Sequence, residues 1–232
     1  NTNDPTINIL AGYNNNFFND KFNFGVQFGY HQLETGVTSL ASSGGNFKVI
    51  DFYSINNCTE STVVSKKRST KRRIQAISGQ AEFGYNNMAF LTFRFRNDWS
   101  STLPVDNRSF FYPAVEGSFV FTELKPLKNL SWLNYLKLRG AIAQVGKDAP
   151  ALSIDPELEP TGLTGGGYKY GFTGPNRSLK PEMTTSYEIG LEGRFWNDRV
   201  NADFTMFRTH CADQIVTGFR MSYATGFILN NM

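Results

Sequence analysis

The stretch SYEIGLEGRFWNDRVNADFTM, residues 186–206, alternates large apolar and polar side chains on either side of one break. Tyr187, Ile189, Leu191 and Phe195 fall on one side of an extended ribbon, and Ser186, Glu188, Glu192 and Arg194 on the other. After Asn197-Asp198, the residues Val200, Ala202, Phe204 and Met206 oppose Asn201, Asp203 and Thr205. A period of two held this long specifies strands, and Asn-Asp between them is turn chemistry. The segment therefore reads as an antiparallel hairpin with one greasy and one polar face.

The same grammar runs through the chain. Phe22, Phe24, Val26, Phe28 and Tyr30 oppose Asn23, Gly25, Gln27, Gly29 and His31. Ile77, Ala81, Phe83 and Tyr85 oppose Ser78, Gln80 and Glu82, and after Asn86-Asn87 the residues Ala89, Leu91, Phe93 and Phe95 oppose Thr92, Arg94 and Arg96. The pattern predicts about eight strands, near 6–14, 22–35, 72–86, 88–99, 110–123, 135–146, 182–196 and 199–212. Most reach the ~9–11 residues that a tilted strand needs to cross a bilayer. Connections alternate. Those near 15–21, 87, 125–134 and 197–198 are short; those at 36–71, 100–109, 147–181 and after 213 are long. Short turns on one rim and long loops on the other are the habit of outer-membrane barrels. Tyr13, Phe17, Phe18, Tyr85, Trp132, Phe195 and Trp196 cluster beside the short turns, as an aromatic girdle at the periplasmic interface would require.

Composition agrees with a two-faced sheet. Over 232 residues, 40% are hydrophobic and 15% aromatic, too apolar for disorder. No apolar run approaches the ~18 residues of a spanning helix, so a membrane role rests on strands. The net charge of +3 selects no partner. Cys58 and Cys211 lack metal-ligand spacing; a bridge in an oxidising compartment and two free thiols both stay open. The chain starts at Asn1 without an initiator Met, which leads us to expect processing or an incomplete chain.

Alternation alone does not separate a barrel from a soluble sandwich. The polar side decides: it carries Arg94, Arg96, Glu116, Lys137, Arg139, Glu188, Glu192, Arg194 and Asp203 among small residues, as a hydrated lumen would. In lipid every backbone amide must be paired, so eight strands must close on themselves or on further strands.

Residues 176–215, NRSLKPEMTTSYEIGLEGRFWNDRVNADFTMFRTHCADQI, resemble the SusC/RagA family of TonB-dependent outer-membrane transporters of Bacteroidetes, with its N-x-x-LKPE-x-T-x-SYE-x-G-L stretch and following DQI. FRNDWSSTLPVDNRSFFYPAVEGSFVFTE at 95–123 is similar to a second family hairpin, and RGAIAQVGKDAP at 139–150 to a third block, with Lys147 where Asn is usual. DFYSINNCTE at 51–60 is a weaker match. The resemblance implies an all-β fold: an antiparallel transmembrane β-barrel segment, about eight strands of a family-typical 22-stranded barrel. Residues 1–232 would all be barrel, with the plug domain, its Ton box and the C-terminal strands outside the sequence. It further implies TonB-dependent uptake of large nutrients such as oligosaccharides, glycans or peptides across a Gram-negative outer membrane. A SusD-like surface lipoprotein would cap the mouth, and a TonB–ExbB–ExbD complex would act through the plug. No bond would be made or broken, so no enzyme activity and no cofactor are expected.

Candidate contacts follow from loops and strand ends. In TGLTGGGYKYGFTGP, residues 161–175, the rings of Tyr168, Tyr170 and Phe172 would stack on sugar faces, with Asn176 and Arg177 bonding hydroxyls. The plainer reading is an ordinary extracellular loop packed on a neighbour. Asp98 and Trp99 end a strand and would meet substrate or, more plainly, anchor at the interface. Lys66, Lys67, Arg68, Lys71, Arg72 and Arg73 would meet lipopolysaccharide phosphates, or else form a solvated loop. No basic stripe continues on flanking strands, so nucleic acid is not expected. Asp148 and Asp155 lack cation-loop spacing, and neither His31 nor His210 accompanies a nucleophile elbow. Two rivals make different demands: a complete eight-stranded barrel of structural or adhesive role needs its first and last strands paired, and a soluble carbohydrate-binding β-sandwich needs a dry core between two sheets.

Overall fold

The computed structural model describes all residues except 1, 129, 156–157, 161–166, 171–172, 175, 223–224 and 232. Eight long strands form one antiparallel sheet in chain order: β1 (Thr6–Phe17), β2 (Phe22–Ser43), β3 (Val64–Tyr85), β4 (Ala89–Ser100), β5 (Ser109–Val120), β6 (Leu133–Lys147), β7 (Glu182–Phe195) and β8 (Val200–Ala212). Each pairs with its sequence neighbour, so the wall is a meander. Among the described residues β1 and β8 do not pair with each other, which removes the closed eight-stranded barrel.

The register sorts side chains into two continuous faces. Tyr13, Val26, Ala81, Phe93, Val115, Ile142 and Tyr187 are cross-strand neighbours on one side. One level nearer the short turns lie Phe24, Phe83, Leu91, Ile189 and Met206. Most of these are exposed, with no second sheet over them among the described residues: Phe93 is 44%, Ile189 53% and Met206 60% accessible. A sandwich would bury them, so that rival also falls. Toward the long loops this face turns polar, at Gln75, Gln144, Thr185, Arg208 and His210.

Short turns are made by residues that tolerate positive φ. Asn86 and Asn87 (φ 54° and 53°) close β3 to β4, with Met88 N–H donating to the Tyr85 carbonyl at 2.9 Å. Phe18-Asn19-Asp20 and Trp196-Asn197-Asp198 do the same at two other turns. Aromatics gather there as expected: Phe22 meets Tyr85 with centroids 5.5 Å apart, and Trp132 stacks on Phe195 at 6.1 Å. Pro113 sits inside β5 where pairing with β6 stops, because that pairing begins only at Ala114. A residue without an N–H is tolerated at such an edge.

Three expectations need correction. The segment 36–71 is not mainly loop, since β2 and β3 stay paired as far as Ser43 and Val64. Both sides of this ribbon are exposed, so selection for alternation is lost and the periodic signal disappears. Residues 121–123 form a 3-10 turn rather than the end of a strand. Beyond 213 the chain forms a further hairpin, Ile215–Ser222 with Thr225–Asn231, whose second strand pairs in parallel with Thr173–Gly174. Cys58 and Cys211 are both free. No described helix is long and apolar enough to cross a membrane, which says nothing of crossing by strands.

Candidate functional site

The polar face is a wall of charges that answer one another. The Arg94 guanidinium donates to Gln80 at 2.8 Å and to Glu116 at 3.0 Å. Arg96 bonds Asp98 at 2.7 Å, and the Tyr112 hydroxyl donates to the other Asp98 oxygen at 2.8 Å. Arg139 grips Asp203 through both nitrogens at 3.0 Å, with Thr205 at 2.6 Å and Glu188 at 3.6 Å. Arg194 pairs with Glu192 at 3.0 Å and lies 5.0 Å above the Tyr135 ring. Leu10, Phe90, Val145 and Phe207 are exposed apolar side chains on this same side.

Gly190 makes the Arg139 bridge possible. Arg139 must cross β7 to reach Asp203 on β8, and a Cβ at Gly190 would lie 2.6 Å from its Nε. Gly190→Val is expected to push the guanidinium off Asp203 and cost about 1–3 kcal/mol of stability, as overpacking does. Gly140→Val meets only ordinary contact, at 3.7 Å, and should change stability by less than about 0.5 kcal/mol. Denaturant unfolding of the whole barrel in detergent compares the two.

At the long-loop rim the family-like motifs converge on one knot. Leu103, Phe110, Ala149 and Leu179 form a buried cluster, with Tyr112, Ile154 and Ile215 against it. Asn107 donates to the carbonyls of Ser178 and Leu179 at 3.2 and 3.1 Å. Glu182 accepts the Ile215 N–H at 2.7 Å and meets Lys147 at 3.1 Å. Asn231 binds the backbone of Lys180 on both sides, at 2.7 and 2.9 Å, and the Asp213 carbonyl at 2.7 Å. Asn231 was not singled out from sequence; a lone Asn has no spacing to betray it.

Asp148 is the polar centre of this rim. Its side chain is 6% exposed, and Arg72 of β3 holds it through two bonds of 2.6 and 2.9 Å. Thr102 donates at 2.9 Å, and Ser100 is a further partner. Arg72 reaches it past the ends of β4 and β5, the contact of a sheet curled toward its polar side. Burial alone would raise the Asp148 pKa, but Arg72, Ser100 and Thr102 outweigh it and hold the carboxyl below its ordinary value.

The remaining candidates divide. Asp98 is on the polar face, bound to Arg96 and Tyr112, whereas Trp99 is on the apolar face beside Gln75. Tyr168 is 74% exposed on a short strand, Tyr168–Tyr170, that pairs with Leu158–Pro160. Tyr170 belongs to that strand; Phe172 lies outside the described residues. The Asn176 amide oxygen accepts from the Ser178 N–H and hydroxyl, at 3.0 and 2.8 Å, so it shapes its own turn, while Arg177 is exposed. Of the basic run, Arg72 points to the polar side. Lys67, Lys71 and Arg73 share the opposite side, where Arg73 pairs with Glu34 at 2.7 Å. Lys66 and Arg68 lie on the Arg72 side of the projecting ribbon.

Comparison with known proteins gives one consistent picture. The family described as TonB dependent receptor-like, beta-barrel matches residues 1–231. The TonB-dependent receptor P26 of Formosa agariphila is 24% identical over 193 residues, covering 77% of this chain and 18% of that protein. The structure of the RagAB peptide transporter superposes with a TM-score of 0.87 at 18% identity, over 99% of this chain and 26% of that one. The ferric enterobactin receptor from Pseudomonas aeruginosa superposes with a TM-score of 0.63 at 18% identity, over 99% and 31%. The chain thus spans about a fifth to a third of the proteins it matches.

Proposed function

Because the chain belongs to the TonB dependent receptor-like β-barrel family, we propose that it forms an arc of the wall of a SusC/RagA-like outer-membrane importer of large nutrients. The observation that carries this reading is the two-faced register that runs through eight strands, shifted at one bulge between Arg194 and Phe195. The Phe- and Leu-bearing side faces hydrocarbon, and the Arg- and Glu-bearing side faces a hydrated lumen. The short aromatic-rimmed turns are then periplasmic and the rim knot extracellular.

The cargo is an oligosaccharide, a glycan or a peptide. A lumenal wall whose cations mostly sit on neighbouring carboxylates offers hydrogen bonds without strong net attraction, which suits polar cargo that must be released. Tyr168, Tyr170, Phe172 and Arg177 are the proposed loop contacts, with Asn176 shaping the turn that presents Arg177. Asp98 faces the lumen as a weaker candidate, and the apolar-side position of Trp99 favours anchoring at the interface over cargo contact. A SusD-like lipoprotein closes over the mouth, and TonB–ExbB–ExbD acts through a plug carried elsewhere in the protein.

Deleting the full-length gene should lower accumulation of labelled oligosaccharide or labelled oligopeptide at least tenfold, with the same loss when TonB is removed. Which label is affected names the cargo class. Unchanged accumulation of both would end the importer reading.

A further inference from the structure

The apolar side of the wall carries a polar cleft of its own. It has a volume of about 260 Å³ and is lined by Arg73, Gln75, Trp99, Ser100, Ser101 and Arg108. Arg73, Gln75 and Trp99 stand on the face of Phe83, Leu91 and Phe93, just beyond where that face ceases to be apolar. Backbone holds the cleft in shape: the Arg73 N–H donates to the Ser101 hydroxyl, and the Ser101 N–H to the Arg73 carbonyl, both at 2.9 Å. Lys71 and Lys67 continue the same side of β3 outward. Against Lys67, Lys71, Arg73 and Arg108 stand the acids Glu34, which is paired with Arg73, Asp106 on the adjoining loop, and Asp4, which accepts the N–H of Gly36 opposite Lys71. A cationic excess remains. Arg108 has no side-chain hydrogen bond or ion pair among the described residues.

We propose that this cleft binds the phosphate-bearing headgroup of an anionic lipid of the outer leaflet. Height and chemistry both select it. The cleft sits one strand step above a band of side chains suited to acyl chains, where phosphates of a bilayer lie. Forked guanidinium donors match phosphate oxygens, and Trp99 offers an amphipathic ring at that level. Cargo in the lumen is on the other side of the wall and does not reach it. The inference rests on the membrane placement proposed above.

The test uses the full-length transporter reconstituted with bisphosphorylated lipid A, then extracted and examined by native mass spectrometry for retained lipid. Arg73→Gln/Arg108→Gln is one variant. Lys71→Gln/Arg108→Gln is the second, because it leaves the Arg73–Glu34 pair intact. The expected result is at least fivefold lower retention in both variants, with fully dephosphorylated lipid A retained weakly by all forms. Equal retention by wild type and variants, or retention indifferent to the phosphates, would overturn the cleft proposal while leaving the importer reading standing. Failure of the wild-type protein to insert into the bilayer would overturn both.

Discussion

Ile189→Arg is expected to destabilise the reconstituted barrel by about 2–4 kcal/mol, whereas Ala141→Arg, one strand away, should be close to neutral. Ile189 lies in the middle of the apolar face, opposite Gly140 and Met206 and one level from Val115 and Ile142. A guanidinium there must displace lipid tails or snorkel outward. Ala141 faces the other way, directly between Glu116 and Glu188, where a new cation gains two carboxylates in a wet environment. Exposed pairs of that kind contribute at most about 1 kcal/mol, so the expected change is small and of either sign. Reversible unfolding in bilayers reads the difference. Equal losses, or a larger loss at Ala141, would mean that the two faces have been assigned the wrong solvents.

Asp148→Ala should loosen the long-loop rim. Removing one partner of a buried ion pair costs about 3–5 kcal/mol, and the one-third exposure of Arg72 lowers the expectation here to roughly 2–3 kcal/mol. Ser100 and Thr102 lose their acceptor at the same time. The effect should be local: faster amide exchange at Ala149 and Leu179 and new proteolytic cuts in 149–181, while exchange at Phe93 and Ile189 stays slow. The double variant Arg72→Ala/Asp148→Ala should recover part of the loss, since no uncompensated guanidinium remains. The pH dependence has a fixed sign. The folded carboxyl is held below the ordinary value, so the unfolded chain binds its proton first. The stabilisation is complete at neutral pH and fades as pH falls through the carboxylate range toward the depressed folded value. A rim that loosens instead on raising the pH from neutral would contradict the assignment.

The central parts of the strands were legible because one face is apolar and the other polar and the side-chain period is two. Tyr187, Ile189 and Leu191 could not share a face with Glu188 and Glu192 in any extended register. The ribbon at Ser39–Ser43 and Val64–Arg68 was not legible: exposure on both sides leaves the backbone pairing without a pattern in the side chains. The rim knot was half visible. Its pieces were recognisable as blocks around Leu103, Asp148, Leu179 and Ile215, but their meeting depends on loops between strands far apart in sequence. Arg72 shows the same limit from another side. Within a run of basic residues nothing distinguishes the one that turns inward to Asp148 from Lys71 and Arg73, which turn outward. Only the register does.

Nitroxide labels placed singly from Thr185 to Gly193 in the reconstituted full-length protein give the most direct test. Oxygen, enriched in lipid, should relax the labels at 187, 189 and 191, and a water-soluble nickel chelate those at 188, 190 and 192. Profiles without that two-residue alternation, or with the parities exchanged, would contradict a wall that has acyl chains on its aromatic side and water on its ionic side.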